Sequence, residues 1–321
     1  DMFITSNLHY LLCGSKLLEK NWRSKEWRTY WVYLFIRQEQ RFNKRGRNNH
    51  FEFHGKYVHG QQEQMNTELS SVFGLGYAFN EFLSKQYIKK HLDMPSVNYT
   101  NAMAEDLKTV FTRIISRNKW FDPITKKSAL KKLHKLKMQI GYPPNLIPDS
   151  SIIFSPTNVW KNLSAVSLWR CNLAIDSVGS SPIDLPEIDW SVSPFKFVGS
   201  QSYVVNAAYF ASENKIYMPS AYLQTPFIDL NDRGIEYNLA HMGFTIAHEL
   251  SHSLDDWGST YDENGVLSNW WTDKDRKVYK RIQSDIKNQY ETFAKHDGIK
   301  FDATLSMGEN LADISGLTIC R

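Results

Sequence analysis

Apolar residues recur at helical spacing along most of this chain. Leu8, Leu11, Leu12 and Leu17 follow that spacing near the start, and Trp27, Trp31, Leu34 and Phe35 fit one face of a second helix. Met65, Leu69, Val72 and Phe73 open a further run that continues through Phe79 and Phe82. The clearest helix start is Asp122-Pro123, with Asp as N-cap and Pro in the first turn. It leads into residues 126–137 and ends before the breaker Gly141-Tyr142-Pro143-Pro144. Within it Lys126, Lys127, Lys131, Lys132, Lys135 and Lys137 alternate with Leu130, Leu133 and Leu136, which predicts a solvated cationic face over a buried stripe.

Residues 176–186, rich in Ser, Gly and Pro, read as a linker, and the pattern changes beyond them. Residues 202–209 and 214–218 are short and rich in β-formers, with Ser212-Glu213-Asn214 as the turn, so a hairpin is the simplest reading. A helical segment near Ala221, a helix over about 234–255, another over about 273–295 and a final one carrying Glu309 follow. Met242, Ile246, Leu250 and Leu254 recur at spacing four, so the 234–255 helix packs into a core. The predicted fold class is α+β, mainly helical. A helical domain spans 1–180 and a catalytic module with a small sheet spans 181–321.

The densest chemistry lies in His248-Glu249-Leu250-Ser251-His252 and in the downstream run Gly308-Glu309-Asn310-Leu311-Ala312-Asp313. A helix sets His248 and His252 one turn apart on one face, within reach of a single ion, with Glu249 beside them to handle a water. Catalytic zinc keeps three protein ligands and one open position, and Glu309 on the final helix is the expected oxygen donor. Zinc so held lowers the pKa of water and polarises a carbonyl. Glu249 would take the water proton and deliver it to the leaving nitrogen.

Asp313, at i+4 from Glu309, is expected to hold His248 in one tautomer, and Asp255 or Asp256 to do the same for His252. For those two aspartates a helix-end loop contact is the equal alternative. A buried helix with two satisfied histidines would leave ionisable Glu249 unexplained. Tyr203 to Asn206 offers a sheet edge for an extended peptide, and Phe227 and Phe244 are candidates for an apolar side-chain pocket, with plain core packing as the alternative.

Several runs carry a family resemblance: Asn206-Ala207-Ala208-Tyr209, Asn214-Lys215-Ile216-Tyr217-Met218-Pro219, Leu223-Gln224-Thr225-Pro226-Phe227, the zinc helix through Asp255-Asp256, Asn269-Trp270-Trp271-Thr272 and the Gly-Glu-Asn-Leu-Ala-Asp run. Together they resemble the catalytic core of the neprilysin family of zinc peptidases, which includes endothelin-converting enzymes and bacterial oligopeptidase O. Upstream, Trp120-Phe121-Asp122 through Ile140-Gly141-Tyr142-Pro143 is similar to the family's helical domain. The resemblance is dense from about residue 190 to 316 and thinner before it.

It implies a thermolysin-like module with one zinc per chain, hydrolysing small peptides admitted past the helical domain. It assigns Asn206 and Ala207 to the substrate backbone. Phe244-Thr245-Ile246-Ala247 departs from the smaller residues and glycine that the family usually places before the first histidine, which bears on the side-chain pocket and not on the metal. The alternative in kind is a catalytically silent structural or assembly subunit that keeps the peptidase fold. The family places an oxyanion-steadying histidine and arginine beyond the point matched by Arg321.

Composition adds boundaries. A chain of 321 residues suggests about two domains, and 42% hydrophobic residues with 14% aromatic supply a core for each. Net charge of +4, from 38 basic and 34 acidic residues, gives no field for a polyanion, so no nucleic-acid partner is expected. Arg41, Lys44, Arg45 and Arg47 read as an exposed loop. No run approaches the roughly 20 apolar residues of a membrane span; the best, residues 30–36, reads as a core helix.

The chain opens on Asp1 inside a helical pattern and stops at Cys320-Arg321, so it reads as an internal piece whose fold a further C-terminal segment or another chain completes. Cys13, Cys171 and Cys320 have no metal or redox spacing. Extracellular members of the resembled family carry disulfides, yet no cysteine lies around Gly60-Gln61-Gln62 or Gln283-Ser284-Asp285. This leans towards a reducing compartment or a lineage without bridges. Asn98-Tyr99-Thr100 and Asn162-Leu163-Ser164, as glycosylation acceptor patterns, lean the other way, and the resemblance allows a membrane-anchored or secreted enzyme.

Overall fold

The computed structural model describes residues 8–39, 43–76, 79–143, 149–176, 178–179 and 201–321. The described residues are mainly helical with a small sheet, as the periodicity predicts, and the sheet is mixed. The chain alternates between two compact units, one made of Asp1–Ser84 with Asn145–Ser200 and the other of Lys85–Pro144 with Gln201–Arg321. These units do not follow the sequence division at residue 180, because residues 85–144 pack with the later segment. The linker expected at 176–186 falls almost wholly outside the described residues, as do Arg41 and the side chains of Val72 and Phe73.

The first unit holds α1 (Leu8–Asn21), α2 (Lys25–Glu39), α3 (Lys44–His50), α4 (Thr67–Leu75), the start of α5 (Asn80–His91) and α8 (Val159–Asp176). The loop expected at Lys44, Arg45 and Arg47 is instead α3, capped by the Asn43 side chain accepting from the Gly46 N–H, and it continues into a π-helical stretch, Phe51–Val58. Residues 30–36 do lie in a helix, but not in a core. Tyr30, Trp31, Val32, Tyr33, Phe35 and Ile36 are all exposed. A continuous apolar run covers every face of a helix, and only one face can turn inward. No helix among the described residues is long and apolar enough to cross a membrane.

The second unit begins with the rest of α5, from Lys85, and continues with α6 (Met94–Arg117) and α7 (Pro123–Lys135). Asp122 caps α7 by accepting from the Ile124 N–H, and the chain then enters β1 (Lys137–Gly141), a strand where the periodicity expects the helix to continue. The later strands β2 (Ala208–Phe210) and β3 (Lys215–Pro219) pair antiparallel as the predicted hairpin, though β2 is shorter than residues 202–209. β1 joins them in parallel register, Lys137 opposite Lys215 and Gly141 opposite Pro219, so β3 is central and β2 lies at an edge.

Beyond the sheet, α9 (Ile235–Asn238), a π-helical turn (Leu239–Gly243), α10 (Phe244–Ser251) and a 3-10 turn (His252–Leu254) run on without a break. Met242, Ile246, Leu250 and Leu254 are all buried, as their spacing requires, in one core with Leu107 and Phe111 of α6 and Ile216 and Met218 of β3. Two more helices follow, α11 (Asp273–His296) and α12 (Met307–Cys320). The starts of α7 and α11 are tied together: the Asp122 N–H donates to Asp275 at 2.9 Å and the Thr272 N–H to the Thr125 hydroxyl at 3.1 Å. Phe121 packs edge-on against Trp271 beside them.

Candidate metal centre

The site is assembled where α12 crosses α10. Gly316 makes the approach possible, since a Cβ there would lie 3.0 Å from the His248 nitrogen and 3.3 Å from its Cα. Glu309 and Asp313, one turn apart on α12, then reach the histidine. The His248 and His252 Nε2 atoms lie 3.0 Å apart, and Glu309 Oε2 lies 3.3 Å from the first and 3.7 Å from the second.

The far side of each imidazole has its own carboxylate. His248 Nδ1 is 2.8 Å from Asp313 Oδ1, and His252 Nδ1 is 2.6 Å from Asp255 Oδ2. A neutral imidazole that donates from Nδ1 carries its lone pair on Nε2. Two lone pairs and a carboxylate oxygen therefore converge with no donor of their own, an arrangement that a cation satisfies. The donor types, two imidazole nitrogens and a carboxylate, suit zinc.

Glu249 is a second carboxylate close to the pair, its oxygen within 4.8 Å of both imidazoles' ligand nitrogens. The two acids differ in setting. Glu309 keeps 67% of its side chain exposed, whereas Glu249 is buried at 6%. Burial pushes the Glu249 carboxyl up from the ordinary glutamate range, while the two imidazoles and the Tyr209 backbone N–H oppose the shift. For His252, burial works against the charged form, yet the Asp255 hydrogen bond and the Glu249, Asp255 and Glu309 charges raise its pKa overall.

Asp255 is itself held by the loop after the 3-10 turn. Its Oδ1 accepts from the Trp257 N–H at 2.9 Å and the Gly258 N–H at 2.6 Å. Gly258 has to be glycine, because a Cβ would sit 1.8 Å from the His252 carbonyl oxygen. Its own carbonyl and that of Tyr261 accept from Lys132 Nζ at 2.5 and 2.7 Å. Lys132 is only 1% exposed, so one member of the expected cationic face is buried. Thr125 and Ala129, small residues at helical spacing from it, mark the buried face of α7 to which it belongs.

A cavity of about 580 Å³ opens over Glu249 and the two histidines, with Asn206, Ala207, Ala208 and Tyr209 among its lining. Tyr203 to Asn206, the expected sheet edge, all lie outside the strand, so the sheet edge near the site is Ala208–Phe210. Asp256 also lines the cavity, its carboxyl raised by burial and by neighbouring Asp255. Phe227 stacks on Tyr222 with ring centres 4.4 Å apart, and Phe244 sits 6.3 Å from the His248 ring; neither is among the residues lining the cavity. Lys132, Gly258, Gly316 and the Tyr209 N–H escape the sequence reading. A glycine inside a helix costs roughly 1 kcal/mol against alanine, so Gly316 was the one legible sign of a close approach.

Comparison with known proteins follows the same lines. Two profiles of peptidase family M13 match, one over residues 1–143 and the other over residues 206–320. Neutral endopeptidase of Lactobacillus helveticus is 29% identical over 243 residues, covering 75% of this chain and 35% of that protein. Neprilysin-1 of Caenorhabditis elegans is 28% identical over 270 residues, covering 81% of this chain and 34% of the relative. The crystal structure of Mycobacterium tuberculosis zinc metalloprotease Zmp1 in complex with an inhibitor superposes with a TM-score of 0.75 at 25% identity, over 89% of this chain and 42% of the other. The chain spans about a third of the length of the curated relatives it matches.

Proposed function

The chain belongs to peptidase family M13, and on that premise we propose that it carries the metal-binding and proton-transferring centre of a zinc endopeptidase acting on small peptides. The observation that carries this reading is the pair of Nε2 atoms facing one another beside Glu309, each imidazole fixed from behind by an aspartate. His248, His252 and Glu309 are the proposed zinc ligands, one ion per chain. Zinc, when bound, supplies a Lewis acid that makes water a competent nucleophile near neutral pH.

Glu249 then does the proton work. Its burial beside the imidazoles and its raised pKa support a carboxylate that accepts the water proton and passes it to the leaving nitrogen. Exposed Glu309 has no such shielding, which favours it as the ligand and Glu249 as the base. Asp313 and Asp255 hold the imidazoles in the donating tautomer. Asn206 and Ala207, at the cavity next to edge strand β2, are proposed to bind the peptide backbone.

Metal analysis and peptide hydrolysis test the assignment together. His252→Ala should lose near-stoichiometric zinc, whereas Glu249→Gln should keep the metal and lose turnover by about a hundredfold to ten-thousandfold. Zinc retained in His252→Ala would sink the ligand set, and turnover retained in Glu249→Gln would sink the base.

A further inference from the structure

We propose that Lys132 is a positioning residue for the metal centre, its buried ammonium fixing the 255–261 loop and, through Asp255, the imidazole of His252. The inference rests on the zinc-peptidase reading above and adds to it a residue that no ligand motif contains.

The path is short. Lys132 Nζ donates to the Gly258 carbonyl at 2.5 Å, the Gly258 N–H donates to Asp255 Oδ1 at 2.6 Å, and Asp255 Oδ2 lies 2.6 Å from His252 Nδ1. A second bond, to the Tyr261 carbonyl at 2.7 Å, fixes the far end of the same loop. No carboxylate lies at ion-pair distance from this ammonium among the described residues; it sits over the Tyr209 ring, 5.8 Å from the ring centre, and feels the Asp255 and Asp262 charges from further away. An aliphatic side chain could fill the same volume without the cost of burying a cation. What it could not do is hold two carbonyls of one loop at a fixed spacing.

The backbone of the same residue provides an internal control. The Lys132 carbonyl accepts from Asn214 Nδ2 at 3.0 Å, and Asn214 Oδ1 accepts from the Tyr209 hydroxyl at 2.9 Å, on the strand whose N–H faces Glu249. Replacing the side chain leaves this branch in place. Loss of the ammonium should therefore loosen the His252 side of the site and spare the Glu249 side.

The experiment compares wild type, Lys132→Met, Asp255→Asn and the double variant of the full chain, with zinc affinity measured by chelator competition and turnover read at saturating zinc. Lys132→Met should weaken zinc about tenfold to a hundredfold, the range expected when a ligand's outer partner is lost, and by more than it lowers turnover of the zinc-loaded protein. The double variant should bind zinc no more than about twofold more weakly than Asp255→Asn, because both act along one path. Unchanged affinity in Lys132→Met, or effects that multiply in the double variant, would overturn the proposal while leaving the peptidase reading intact. Wild-type protein that takes up no zinc overturns both.

Should Lys132→Met fail to fold, Lys132→Gln carries the same comparison. Amide exchange in wild type gives an independent check: the Trp257 and Gly258 N–H groups should be protected, and exchange at open-loop rates counts against a fixed loop.

Discussion

Gly258→Ala is the smallest change that should disable the His252 side of the centre. The added Cβ would begin 1.8 Å from the His252 carbonyl oxygen, 3.0 Å from its carbonyl carbon and 3.1 Å from the Ser253 carbonyl carbon, all backbone atoms that cannot rotate away. Ordinary contact begins at 3.4 Å, so the loop has to retreat by about 1.6 Å (3.4 − 1.8). Hydrogen bonds of 2.6 Å to Asp255 and 2.5 Å to Lys132 do not survive a displacement of that size.

Each involves a charged group and is worth roughly 1.5–3 kcal/mol, so about 3–6 kcal/mol of local stabilisation is at stake. Denaturant unfolding of the metal-free protein measures the loss, and chelator competition measures the accompanying fall in zinc affinity. Stability within about 0.5 kcal/mol of wild type, the range of an ordinary surface substitution, together with unchanged zinc affinity, would refute the close approach on which the reasoning depends.

Two further outcomes follow from the same geometry. Asn206→Ala should lower kcat/KM by the equivalent of roughly 1–3 kcal/mol without altering zinc content, and equal kinetics would reject recognition of the peptide backbone by Asn206 beside the edge strand. Burial lowers the Lys132 pKa to about 8 against an ordinary 10.5, with the Asp255 and Asp262 charges opposing the shift. The unfolded chain therefore binds more protons between those values, and stability should rise with pH across that window. At about 1.4 kcal/mol per pH unit the rise amounts to about 3 kcal/mol, and it should be missing from Lys132→Met when the two unfolding curves are compared; parallel curves would contradict it.

Much of the second unit was legible because its signals are local. Asp122-Pro123 announces its own helix, and the spacing of Met242, Ile246, Leu250 and Leu254 announces which face of the next long helix is buried. His248 on α10 and His252 at the start of the 3-10 turn were equally visible, as were Glu309 and Asp313 on α12, since each pair is set at turn spacing. β1 was not. Lys137–Gly141 is a strand only because Lys215–Pro219 lies beside it, and nothing in five residues after a helix records a partner so distant in sequence. Lys132 was misjudged for a related reason: its neighbours in sequence are lysines, while its neighbours in space are two carbonyls from another part of the chain. The apolar run of α2 failed as a core signal because it lacks a polar face.

The parallel pairing of β1 with β3 also has a bearing on how the protein is made. Because β3 is the middle strand, β1 leaves the ribosome with nothing to bond to, and the chain then enters residues 145–200, which belong to the other unit. At about 5–20 residues per second this interval lasts several seconds. During it α6 and α7 can form locally, but the sheet cannot close, and the strand's N–H and C=O groups stay available to any passing partner. The cell therefore meets this protein first as a nascent chain with an open strand, exposed to misassociation until β3 arrives.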